Sequence, residues 1–187
     1  MDWQVDMAGN LEFIKSATSS SNADIMSITD CFTANYDMYK VVYVFEDDSG
    51  VANNTFVRFL DSSNAAINSG NLYNYAARNL KGGGGVELDN KNQAQNEIFI
   101  SYLPDKDLSL GKQREAVLYV FSPYDSTSYT FMIAHSYGIN TSNEWLSAKA
   151  IGTLATAGTH KGIQVIHSGS GNGIKSGATI KVWGVKR

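Results

Sequence analysis

The sequence predicts an all-β protein: an antiparallel, jelly-roll-like β-sandwich with at most one short helix. Three observations carry that reading. Short runs with period-2 alternation recur along the chain. β-Branched and aromatic residues crowd those runs, and Gly, Asn, Asp and Ser punctuate the gaps between them. Many short strands at fairly regular spacing belong to a sandwich or a barrel. The 187 residues suit a single domain, 1–187. A chain of that length buries roughly 70% of the surface it exposes when unfolded, so it needs no covalent staples.

The strands follow in order. LEFIKSAT and ADIMSIT supply the first two, at Leu11–Thr18 and Ala23–Thr29. Tyr39, Val41, Tyr43 and Phe45 alternate with Lys40, Val42 and Val44. Both sets are largely apolar, so this strand is expected to be central. TFVRF puts Phe56 and Arg58 on one face, Val57 and Phe59 on the other. EIFISYL (97–103), EAVLYVF (115–121), SYTFMIAHSY (128–137) and AKAIGTL (148–154) continue the series. LYNYAARNL (72–80) breaks it. Leu72, Tyr75, Ala76 and Leu80 fit one helical face, so a short helix is expected there. The KGGGG that follows, with its Gly82–Gly85 run, allows almost any backbone path. GIQVIH and ATIKVWGV then read as a final hairpin around SGSGNGIKSG, whose glycines suit a long loop. The last strand has Ile180 and Val182 on one face and Thr179, Lys181, Trp183 and Val185 on the other. Trp183 is expected to be covered by the first residues of the chain, near Trp3, or to meet another subunit.

Composition narrows the function classes. Net charge is −3 with both signs interspersed, so no basic stripe marks nucleic acid and no polybasic run marks a membrane surface. No stretch approaches the ~20 apolar residues of a membrane span. The start, MDWQVDMAGNLEFIK, is acidic where a secretory leader is basic. A soluble protein made in a cytoplasm, without processing, is the expectation. A lone cysteine, Cys31, excludes an internal disulfide and reads as a small buried hydrophobe.

Several ordered motifs resemble a known family. FIKSATSSSNADIMSI near the start is followed by ITDCFTANYDMYKVVYVFED, in which a Tyr-Asp-x-Tyr-Lys core opens the first long strand. TFVRFLDSSNAAINSGNLYNYA comes next, and SGNGIKSGATIKVWGVK closes the chain with an aromatic-Gly-apolar-Lys ending. The ordered set is similar to a family of tailed-bacteriophage virion proteins with a jelly-roll-type β-sandwich; 82–124 is its least diagnostic part. The resemblance implies a virion component of the kind found in tail-fibre tips, receptor-binding modules and head decorations. Tail fibres often carry an adaptor and a shaft before such a domain. The sequence between Met1 and Arg187 has neither, which favours a small protein docking directly on the capsid or on a tail protein.

A search for chemistry leaves no catalytic residue, metal site or cofactor to name. His135 shares a strand face with Phe131 and Ile133 and reads as a packed, hydrogen-bonded ring. His160 and His167 are seven apart and fit no familiar zinc spacing. No Gly-x-Ser-x-Gly elbow occurs, and the lysine of KGGGG precedes its glycines, the reverse of a phosphate loop. Glu46, Asp47 and Asp48 lack the alternating oxygens of a calcium loop and read as a solvated turn. Paired glycosidase carboxylates cannot be picked out of 18 acids. The stacked repeats of a depolymerase β-helix are missing.

Two readings remain. The first is a non-enzymatic virion subunit, a homo-oligomer and in particular a homotrimer, docking on capsid or tail proteins through a broad apolar face. The second is a host-recognition module whose loops SGSGNG, KGGGG and SNAAINSGN hold a cell-surface glycan. Ten tyrosines supply rings able to stack on sugars or fill interfaces. The interface or ligand candidates are Trp3, Tyr73, Tyr75, Trp145 and Trp183. Neither nucleic acid nor membrane insertion is expected, and the expected location is the virion.

Overall fold

The structure, a computed structural model, describes residues 11–45, 53–82, 88–103, 114–139, 145–168 and 173–186. These residues form twelve strands and no helix. Every pairing between them is antiparallel. The strands are β1 (Leu11–Thr18), β2 (Ile25–Ile28), β3 (Met38–Phe45), β4 (Asn53–Leu60), β5 (Tyr73–Lys81) and β6 (Leu88–Gln95). They continue with β7 (Ile98–Leu103), β8 (Arg114–Phe121), β9 (Thr130–Ile139), β10 (Trp145–Leu154), β11 (Gly162–Ser168) and β12 (Thr179–Val185). Eight strands make one sheet in the order β1-β12-β3-β8-β9-β10-β5-β6, and four make the other in the order β2-β11-β4-β7. The chain passes repeatedly from one sheet to the other, and only β8-β9-β10 runs as a simple meander.

The core lies between the sheets. From the larger sheet β3 contributes Tyr39, Val41, Tyr43 and Phe45, β8 adds Leu118 and Val120, and β12 adds Ile180 and Val182. The smaller sheet answers with Ile28, Val57, Phe59, Ile98, Ile163 and Val165. All belong to one continuous hydrophobic cluster. Its alternation is the period-2 geometry of a pleated strand. β3 lies between β12 and β8, as its apolar faces predict.

Two expectations are corrected. LYNYAARNL is not a helix but β5, paired along its length with β10 on one side and β6 on the other. A helix of nine residues is marginal by itself, whereas two flanking strands satisfy both sides of the backbone. The same residues alternate at period 2: Tyr73, Tyr75 and Ala77 point inward, Ala76, Arg78 and Leu80 outward. β11 and β12 are not a hairpin. β11 pairs with β2 and β4 in the smaller sheet, and β12 with β1 and β3 in the larger. The connection between them crosses the sandwich, and Ile174, fully buried, bridges to Ala23 on the way.

The final strand is tied down by the motifs at the start of the chain. A Cβ on Gly184 would stand 2.5 Å from the ring of Tyr36, so only glycine lets that tyrosine lie over β12. Tyr36 in turn stacks edge-on against Tyr39, at 5.7 Å between centroids. Glu12 takes a hydrogen bond from Tyr36 and pairs with Lys186 at 3.3 Å. The hydrogen bond from Tyr36, then Lys186, hold its carboxyl below the usual range. The Tyr-Asp-x-Tyr-Lys and aromatic-Gly-apolar-Lys motifs therefore meet in space.

Candidate docking face and groove

The outer face of the larger sheet has no layer over it among the described residues. Its strands are in register, so side chains line up in rows across it. One row runs Phe13, Trp183, Lys40, Tyr119, Ile133, Ile151, Ala76 and Lys91, from edge strand to edge strand. A neighbouring row includes Leu11, Val185, Met38, Phe121 and Phe131. Phe13, Phe131 and Ile151 are all more than half exposed. A contiguous apolar band of this kind is unusual on a monomer and marks an interaction surface.

The two halves of the face differ. In the β1-β12-β3-β8 half, Phe13 packs edge-on against Trp183 with centroids 5.8 Å apart, and the Lys40 ammonium sits 5.9 Å above the indole. Trp183 is thus half-buried, with β1 beside it. In the β9-β10-β5-β6 half the surface dips. Two adjoining depressions, of about 470 and 440 Å³, share Ala76, Ile133 and Ile151. Ala76 is the reason for the dip: a methyl group stands in a row of larger side chains. The wall is β6, where the register shifts between Tyr73 and Tyr75 and Ala94 takes a φ of 54°. Such a bulge bends an edge strand. Asn74 holds the bend by accepting the Ala94 N–H at 3.1 Å.

Charge concentrates here. Among the described residues, Lys40, Arg78, Lys91, Lys149 and Lys181 stand on the face against Glu115 and Asp89. The chain as a whole carries more acids than bases. Arg78 and Asp89 approach to 3.9 Å, both largely exposed, a geometry that contributes little. Glu115 accepts the Tyr137 hydroxyl at 2.8 Å, which pushes that phenol above its ordinary range.

The residues named from the sequence are distributed as follows. Trp145 is 67% exposed at the end of the outer face, near Leu80 and Tyr137. Trp183 lies within the apolar row. Tyr73 is not a surface residue: its ring is fully buried, and its hydroxyl accepts from Phe59 N at 3.0 Å and donates to Ile67 O at 2.9 Å. Tyr75 faces inward and stacks on Phe99 at 6.0 Å. As candidates for stacking or interface contact both are corrected: the strand turns them toward the core. Trp3, the acidic run Glu46–Asp48, Gly83–Gly85 and the tip of SGSGNG lie outside the described residues. Ile133, Ile151, Lys149, Lys91 and the asparagines of the groove went unnoticed, because only the sheet order brings four separate strands together.

The histidines also sort by face. His135 is exposed on the outer face, correcting its reading as a packed ring; Phe131, Ile133, His135 and Tyr137 of β9 all point outward. His160 is buried, with Nδ1 2.8 Å from the Thr130 hydroxyl. His167 is buried against Phe45, with Nδ1 3.1 Å from Gly173 O and Nε2 3.3 Å from the Tyr43 hydroxyl. A carbonyl only accepts, so Nδ1 carries a proton and donates it to Gly173 O. Among the described residues no three His, Cys, Asp or Glu side chains come together as metal ligands. Among the described residues no helix is long and apolar enough to cross a membrane. Comparison with protein-family models, with curated proteins and with solved structures finds no match to this chain.

Proposed function

We propose that this chain is a non-enzymatic structural subunit of a tailed-bacteriophage virion, docking as a small oligomer on the capsid or on a tail appendage. The observation that carries the reading is the largely apolar row on the larger sheet, from Phe13 through Trp183 and Lys40 to Tyr119, over which no described residue lies. Supporting it, rigid strands rather than loops present these side chains, so docking orders little that is not already ordered. The sequence motifs supply the virion context, and two of them meet at Gly184 and Tyr36 to hold β12, one of the strands that bears the row.

The test is quantitative mass spectrometry of virions from the phage that encodes the chain, with re-binding of purified protein to virions that lack it. A fixed copy number and saturable re-binding are expected, with hundreds of copies indicating the head and a few dozen or fewer the tail. Absence from purified virions would refute the proposal. A second reading, recognition of a host-surface glycan, is favoured by one observation: the groove over β9, β10, β5 and β6.

A further inference from the structure

We infer that this groove is a binding site for an acidic oligosaccharide. The inference rests on the second reading above and gives it a ligand class and a set of residues. The groove has two chemically distinct ends on a common apolar floor of Ala76, Ile133 and Ile151. At one end Lys149, Lys91 and Arg78 converge around the depression, with His135 beside them and Asp89 against Arg78. Among the described residues neither Lys149 nor Lys91 has an acidic partner. At the other end stand the ring of Phe131, the Gln93 side chain and the amide of Asn74, whose oxygen already accepts the Ala94 N–H.

Each part matches one feature of a charged sugar chain. The lysines meet a carboxylate or phosphate. The Gln93 amide offers a donor and an acceptor to hydroxyl groups, and Asn74 offers its N–H groups. The exposed phenyl ring offers a flat apolar surface on which a pyranose can stack. Charge complementarity selects the acidic class: among the described residues the groove gathers Arg78, Lys91 and Lys149 against Asp89, on a chain with more acids than bases. An acidic peptide fits less well. Extended peptides are held by a free strand edge, and the floor strands β9, β10 and β5 are each paired on both sides.

The test uses the full chain on an array of bacterial oligosaccharides, uronic-acid, sialic-acid and phosphorylated ones beside neutral ones, with poly-glutamate as a separate probe. The paired substitution Lys91→Gln/Lys149→Gln and the single substitution Phe131→Ala report on the two ends. Ser20→Ala, an exposed position outside both the groove and the apolar row, is the control. All four sites are at the surface, and circular dichroism checks that each variant stays folded. Expected is binding confined to acidic sugars, roughly tenfold or more weaker in the lysine variant, weakened by Phe131→Ala and unchanged in the control. Binding to neutral sugars alone, indifferent to the lysines, would overturn the acidic assignment and leave glycan recognition standing. No binding to any sugar would overturn both. Equal binding to poly-glutamate, insensitive to Phe131→Ala, would reduce the groove to a patch of charge and overturn the inference.

Discussion

Cys31 and His160 show how burial sets the chemistry of single side chains in this sandwich. Burial pushes the Cys31 thiol up to about 12, and its sulfur contacts the Ile28 carbonyl oxygen at 3.7 Å. The reactive thiolate is therefore scarce at neutral pH. A maleimide reagent is expected to leave Cys31 unmodified in the native protein and to label it once denaturant unfolds the chain. Burial also holds His160 below its ordinary pKa, against a smaller opposing effect of Asp61. The unfolded chain then takes up a proton at higher pH than the native state does. Stability is full above about pH 6.5 and falls as the pH drops from there toward the native pKa. Denaturant midpoints measured across that range are expected to decline, and to decline less in His160→Gln. Gly184 makes a steric prediction. Gly184→Ala drives a methyl group into the Tyr36 ring, and a loss of about 1–3 kcal/mol in chemical denaturation is expected.

At the scale of elements, alternation was readable wherever one face of a strand is buried. β3, β4, β8, β9 and β12 could be placed, with the correct sides for Phe56, Val57, Ile180 and Val182. β6 could not. LDNKNQAQ has no apolar alternation, because it is an exposed edge strand held by its backbone ladder to β5. β5 was ambiguous because LYNYAARNL satisfies both periods, and the decision lies in neighbours far away in sequence. Which strand pairs with which was not legible at all, so the groove, assembled from β9, β10, β5 and β6, was invisible too. Tyr73 tests the corrected element. As a strand residue its hydroxyl bridges the backbone of Phe59 and Ile67. Tyr73→Phe leaves a buried N–H without its acceptor, and about 1–3 kcal/mol of stability is expected to be lost. On an exposed helix the same change would be nearly silent.

Among the described residues the molecule is a two-layer block with one side of the larger sheet uncovered. The smaller sheet covers one face of the larger, and the larger sheet turns a row of aromatic and aliphatic side chains to the outside. Lys40 over Trp183 and the lysines beside the groove surround that row with positive charge. This layout joins an apolar centre to a polar surround, the anatomy of a docking surface. On the proposals above, the β1-β12-β3-β8 half would meet protein and the groove of the other half would take the ligand. The most direct test is sedimentation equilibrium of the purified chain beside a Phe13→Ser/Tyr119→Ser variant. The account predicts a defined small oligomer for the unaltered protein and a monomer with the same circular dichroism spectrum for the variant. An unaltered chain that stays monomeric at high concentration, or an oligomer indifferent to both substitutions, would contradict it.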